Sequence, residues 1–340
     1  MSINSIVKDL LLYALFIILV YLFFFGTEET IASLGMTITE EWRKIFVVFL
    51  GILLEALPFI ILGAIASSGI QLFMTEDTLR KLIPQTPMLA MLVALLAAVI
   101  TPICECAIIP VVRRLIQKGV PVHAATVILL GAPILNFVVF GSTYFAFENN
   151  PSIYIGRFVL CIVTALIIGA LTNFFFSKRS MIKIRKEDLL TQNSYTPPDR
   201  GTSKLKGMIH HASHEFFEVG KYFLLGAFLA SIAQVYLERS VIVQAAVEPL
   251  SGTAMMMGFA FLLSLCSEAD AFVAASFERI FPVEAILAFL VYGPLLDLKN
   301  SLVMFSYFKV RFVLFYMAAV TIVVYSLSLI AGKYVEGVFG

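Results

Sequence analysis

Charge is scarce in this chain. Only 14% of its 340 residues are Asp, Glu, Lys or Arg, against 60% hydrophobic residues, and the mean hydropathy is +0.95. A sequence so short of charge cannot clothe a soluble domain, which excludes soluble enzymes and nucleic-acid-binding modules. Cysteine is also sparse. The four, Cys104, Cys106, Cys161 and Cys266, sit in apolar surroundings and do not form the spaced framework of a disulfide-rich secreted domain. There is no Cys-x-x-Cys and no G-x-x-x-x-G-K-[ST], so neither a dithiol motif of that spacing nor a nucleotide site of the chain's own is expected. No cofactor is expected either. No small-x-small cleavage pattern follows the first apolar run, which reads as a retained helix.

What is there is apolar sequence in long runs. Crossing about 30 Å of hydrocarbon takes about 20 helical residues, and nine stretches qualify. They cover residues 10–25, 45–73, 88–107, 122–147, 153–176, 216–236, 255–275, 283–307 and 312–329. The expected class is an all-α, multi-pass cell-membrane protein of about nine transmembrane helices, with broken or re-entrant segments. The seventh stretch holds Glu268 and Asp270 within its apolar run, which suggests half-helices in place of a clean span. Residues 177–211 are basic and carry Pro197-Pro198, so they read as an irregular cytoplasmic linker. Counting nine crossings from there puts Arg43, Lys44, Arg113, Arg114 and Lys118 inside, Glu148 outside, the N-terminus outside and the C-terminus inside. Lys309 and Arg311 then fall outside, against the charge rule.

Two acid-bearing halves follow the first run. Glu55 and Glu218, Gly63 and Gly226, and Glu105 and Glu268 all lie 163 positions apart, while Pro121 and Pro282, Pro133 and Pro294, and Asn136 and Asp297 lie 161 apart. A single two-residue gap reconciles the registers. The organisation expected is a first helix and loop over 1–41, one membrane repeat over 42–176, the linker over 177–211 and a second repeat over 212–340. An even number of crossings per repeat makes them parallel, and a re-entrant segment would make them inverted.

The centre of the sequence is Thr101-Pro-Ile-Cys-Glu-Cys-Ala-Ile-Ile-Pro110 with Arg113-Arg114, followed by Gly-Val-Pro121 and Ala-Pro133-Ile-Leu-Asn136. A carboxylate at membrane depth costs about 2.5–3.5 kcal/mol on insertion scales and marks a functional candidate. Residues two apart on a helix point about 200° apart, so Cys104 and Cys106 reach one soft ion only if the segment is unwound. Otherwise each is a small buried hydrophobe. This stretch resembles the predicted-permease family of YraQ-like proteins, which is related to the organoarsenical efflux permeases, and the similarity runs over nearly all of the chain after the first run. The resemblance implies a permease and leaves the cargo open. Relatives often carry a small polar residue where this chain has Glu105.

Glu105 and Glu268, aligned by the repeat, could exchange protons as a coupled pair, or else sit neutral in packing or at a cytoplasmic mouth. Asp270, Asp297, Lys299 and Asn300 add polar groups in the second half. Lys299 lies two residues from Asp297, a poor intrahelical spacing, so a contact with Glu105 or Glu268 across the repeats is favoured, with a static salt bridge as the other reading. The candidate pathway is Cys104, Glu105, Cys106, Asn136, Cys266, Glu268, Asp270, Asp297, Lys299 and Asn300, with Cys104 and Cys106 as the metal candidates. Glu55 and Glu218 read as packing or gate residues beside small-residue faces. His210, His211 and His214 read as an interfacial helix, and Cys161 as packing. The function expected is a secondary transporter for a soft metal, a metalloid or another small solute, working in the lipid bilayer, with a membrane or soluble subunit as its protein partner and no nucleic acid. An intramembrane thiol redox protein and a non-transporting subunit are the alternatives; a conventional enzyme is not expected.

Overall fold

The computed structural model describes residues 40–73, 83–84, 86–101, 103–176, 181–182, 203–236 and 249–339. The run at 10–25, Pro102 and most of the linker lie outside the described residues. Two compact units divide the chain, Met1–Val47 and Val48–Gly340. The first is described only over 40–47, the opening turns of a helix in which Arg43 pairs with Glu40 at 3.1 Å. All that follows belongs to the second.

Twelve helices are found among the described residues, and no strand. They are α1 (Glu40–Phe73), α2 (Pro87–Ile100), α3 (Glu105–Gln117), α4 (Val122–Gly131), α5 (Phe137–Ala146), α6 (Pro151–Phe176), α7 (Ser203–Tyr236), α8 (Pro249–Leu263), α9 (Ser267–Ala275), α10 (Val283–Leu295), α11 (Leu298–Tyr307) and α12 (Val310–Phe339). The protein is an all-α, multi-pass membrane protein. Five stretches are long and apolar enough to cross a bilayer, Glu40–Ile70, Pro151–Phe176, Ala212–Tyr236, Val283–Tyr307 and Val310–Lys333, and four shorter apolar helices accompany them. The last residues of the expected irregular linker, from Ser203, are instead the first turns of α7.

Four of the apolar runs are broken, at 101–104, 132–136, 264–266 and 296–297. Each break frees backbone groups that lipid cannot satisfy, so each must be closed by protein. Asn136 caps α5, its Oδ1 accepting from the Val138 and Val139 amides at 3.0 Å while its Nδ2 donates to Ala132 O at 3.2 Å. Asp297 caps α11 by accepting from Asn300 N at 2.6 Å. The two residues aligned at 136 and 297 therefore do the same work, as Asn and Asp favour N-caps. After α8, Ser264 takes φ +49, an uncommon conformation for a residue with a Cβ. The carbonyls exposed there are taken up by side chains, Leu263 O by Gln234 Nε2 and Ser264 O by Lys299 Nζ.

Packing crosses between the halves. The half-helix α3 lies against α11, α9 against α5, and α6 against both α10 and α12. Every residue of α10 after Val283 is buried, so this element forms the middle of the fold. Close approach depends on two glycines. A Cβ on Gly63 would lie 2.6 Å from Ala107 Cβ, and one on Gly226 would lie 2.6 Å from Lys299 Cα.

Contacts at the helix ends sort the loops onto two sides. Arg114 Nη2 meets Glu215 Oε2 at 2.9 Å. Ile182 bridges to Phe308, Lys309 N donates to Met181 O at 2.8 Å, and Phe176 packs on Phe312. Lys309 therefore lies on the side where the basic linker starts, which corrects the placement obtained by counting nine crossings and removes its conflict with the charge rule. On another contact, Asn150 Nδ2 donates to Glu278 Oε1 at 3.2 Å.

Candidate functional site

Helices α3, α5, α9 and α11 all begin at the breaks, with Cys104, Asn136, Cys266 and Asp297 as their N-caps. Packing of α3 on α11 and of α9 on α5 brings these starts together from opposite halves. The positive ends of the helix dipoles thus face the residues that the sequence marks as costly.

Glu105, the first residue of α3, is 3% exposed. Its Oε1 lies 3.3 Å from Lys299 Nζ, and its Oε2 accepts from Ser267 Oγ at 3.3 Å. Lys299 Nζ also lies 3.3 Å from Asp297 Oδ2. The spacing of two, unfavourable within a helix, works because Asp297 is an extended N-cap with φ −129 and ψ 172, outside the helical turn. Lys299 thus joins both acids and the Ser264 carbonyl. Asn300 Nδ2 donates to Asp297 Oδ2 at 3.1 Å. The expected Glu105 and Glu268 pair does not form a direct contact of this kind. Glu268 stays half-buried in the first turn of α9.

The thiols divide. Cys104 is half-buried and Cys106 buried, and their side chains lie within hydrogen-bonding reach. They meet because Cys104 is an extended cap while Cys106 is already helical; Pro110 lies inside α3 and unwinds nothing around them. Cys266 Sγ is engaged elsewhere, donating to Glu55 Oε1 of α1 at 2.7 Å. Cys161 Sγ lies 3.9 Å from Leu130 O. Among the described residues no three His, Cys, Asp or Glu side chains gather as a metal-ligand set, so a soft ion at the thiol pair would have two sulfur ligands from this chain.

A second buried constellation was missed by sequence reasoning. Arg157 of α6 is fully buried, its Nη1 donating to Thr143 Oγ1 at 2.6 Å and its Nη2 to Ser267 O at 2.9 Å. Asp270, 1% exposed, is the strongest of the acids acting on it. The signal was available, since Arg157 is the one charged residue within the apolar run 153–176. His214 is exposed on α7, and the side chains of His210 and His211 lie outside the described residues.

Glu105 and Asn300 also line a small cavity, about 10 Å³, together with Pro133, Pro294 and Tyr316. That is room for about one water. Asn300 Oδ1 has no hydrogen-bond partner in the protein.

Comparison with known proteins agrees with this architecture. The chain is 40% identical to the UPF0718 protein YcgR of Bacillus subtilis over 297 residues, 87% of this chain and 99% of that one. It is 34% identical over 285 residues to a Streptococcus mutans protein named "Putative two-component membrane permease complex subunit", covering 84% of this chain and 94% of that one. No solved structure matches. A family model described as a predicted permease matches residues 41–333, and the chain belongs to that predicted-permease family.

Proposed function

We propose that the protein is a secondary transporter whose pathway passes the junction of the four half-helices. The observation that carries this is the cross-half cluster of Glu105, Lys299 and Asp297, buried beside the Cys104 and Cys106 thiols. Ionisable groups are kept at such depth for ion or substrate passage far more often than for packing. The thiol pair suits a soft metal or metalloid cargo, and Glu105 and Glu268 are the carboxylates that would exchange protons with it. The Streptococcus mutans relative is named as a subunit of a two-component complex, and on that likeness this chain works with a second subunit.

The halves are inverted in this reading. Residues 181–182 and 308–309 share a side, so an even number of crossings separates them. Three segments intervene, α7, the pair α8 and α9, and the pair α10 and α11. Asn150 and Glu278 also share a side, with α6, α7 and the pair α8 and α9 between them. The segment common to both counts that is not long enough to cross unbroken is α8 and α9, of 15 and 9 residues. It turns back. If its counterpart α2 and α3 does likewise, each half crosses three times, and an odd number inverts one half against the other. Seven of the nine apolar runs then cross.

The test is flux into reconstituted vesicles, across a panel of soft cations and trivalent arsenicals read by mass spectrometry at several pH values. Glu105→Gln and Glu268→Gln should abolish transport or its pH dependence, and the double change Cys104→Ser with Cys106→Ser should alter soft-cargo handling. Wild-type rates and pH profiles in both Glu variants would make these acids structural.

A further inference from the structure

We propose that the Glu105, Lys299 and Asp297 cluster is a cation site one charge short, which takes up a hard monovalent ion of sodium or lithium size in the cavity beside Glu105 and Asn300. With every group ionised the cluster holds two carboxylates and one ammonium, a net charge of minus one, among residues 0–6% exposed. Buried net charge is unstable without a partner. The N-termini of α3 and α11 offset part of it, and Asp297 already spends one oxygen on the α11 cap. Arg157 and Asp270, which act on each other, add no net charge when both are ionised. A single added positive charge neutralises the cluster without expelling Lys299.

Ligand chemistry points the same way. The groups at hand are oxygens, from the Glu105 carboxylate and the Asn300 amide, and oxygen donors suit hard cations. Asn300 Oδ1 is the telling atom, a buried acceptor with no donor on a cavity-lining residue that is 6% exposed. Flipping the amide does not relieve it, because the other end faces Asp297 Oδ2 at 3.1 Å and would then set oxygen against oxygen. A cation in the cavity satisfies this oxygen and the charge deficit together. The thiol pair is then left to the soft cargo, so the two ions bind by different chemistry at neighbouring positions.

This deepens the transporter reading, yet its test needs no transport. Thermal unfolding of the purified full-length chain in detergent, at alkaline pH and constant ionic strength, is compared in sodium, lithium, potassium and choline chlorides. Sodium or lithium should raise the midpoint saturably above choline. Asn300→Ala should weaken the apparent affinity by about tenfold or more, as the loss of one ligand to a charge. Glu105→Gln should remove the shift. Asn300→Asp, nearly isosteric, should turn the preference towards divalent ions. The double change Cys104→Ser with Cys106→Ser should leave the shift intact, so cation binding without soft-cargo flux would separate this proposal from the transporter reading. Equal wild-type midpoints in sodium, lithium and choline would overturn it, and a midpoint raised only by acidification would show that a proton completes the cluster instead.

Discussion

Arg157→Gln should be among the most damaging single substitutions in the protein. The side chain is fully buried and ties three elements together, with Thr143 on α5 at 2.6 Å and the Ser267 carbonyl at the start of α9 at 2.9 Å. Each hydrogen bond to a charged group contributes about 1.5–3 kcal/mol, and glutamine can keep at most part of one of them. A further loss is electrostatic. Asp270, 1% exposed and farther from Arg157 than an ion-pair contact, loses the positive charge that acts on it most strongly, and coupling between such neighbours is about 0.5–3 kcal/mol. Those figures overlap, so the expected total is about 3–5 kcal/mol. Asp270→Asn should cost less, because Asp270 Oδ2 makes no hydrogen bond and Arg157 keeps both neutral partners. Combining the two changes should recover about 2 kcal/mol relative to the sum of the singles, since a neutral pair carries no desolvation penalty. The assay is a double-mutant cycle on thermal unfolding in detergent. Additivity within about 0.5 kcal/mol would show that the two charges do not act on each other and that Arg157 serves only as a tether.

Gly226→Ala should cost about 1–3 kcal/mol and impair flux, because its Cβ meets the Lys299 backbone at 2.6 Å and backbone cannot step aside; Gly220→Ala, with nothing within 4 Å, should be neutral or stabilising by up to about 1 kcal/mol in the same unfolding assay. Single cysteines replacing Glu148, Arg279 and Lys309, all exposed, read the topology with an impermeant thiol reagent on intact cells. Glu148→Cys and Arg279→Cys should react alike and Lys309→Cys should not, whereas nine straight crossings would group position 309 with 148 and leave 279 apart.

Much of the architecture was legible. Apolar length gave the class, and Pro133, Pro294 and the acids at 268 and 270 flagged segments that are broken, because few other features put such residues inside a hydrophobic run. The partners at the site were legible in part. The poor spacing of Lys299 from Asp297 pointed to its contact with Glu105 across the halves, whereas the alignment set Glu105 beside Glu268 and gave no sign of Ser267. Asn136 and Asp297 read as pathway residues, and their first task proves to be closing the backbone at a helix start, a role visible only once the break is located to the residue. Arg157 was overlooked because a single charge barely lowers the mean hydropathy of a long apolar run.

The residues that match between the halves and those that do not fall into different kinds. At the fixed offsets, α5 and α11 begin at Phe137 and Leu298 behind matched caps, and Gly63 and Gly226 both permit contacts too close for a Cβ. These are framework features, needed twice because two half-helix pairs must be built. Among the charges, Glu55 recurs as Glu218 and Glu105 as Glu268, but the buried charges other than Glu105 do not recur. By the same offsets Lys299 corresponds to Val138, Arg157 to Ala318 and Asp270 to Ala107. A pair of equivalent sites would require each charge to recur, since an unpaired buried acid is not tolerated. Instead, one half supplies Glu105 and Arg157 and the other supplies Lys299, Asp297 and Asp270, so neither half holds a balanced set alone. Symmetry therefore belongs to the framework, and the buried charges form a single cluster assembled from both halves.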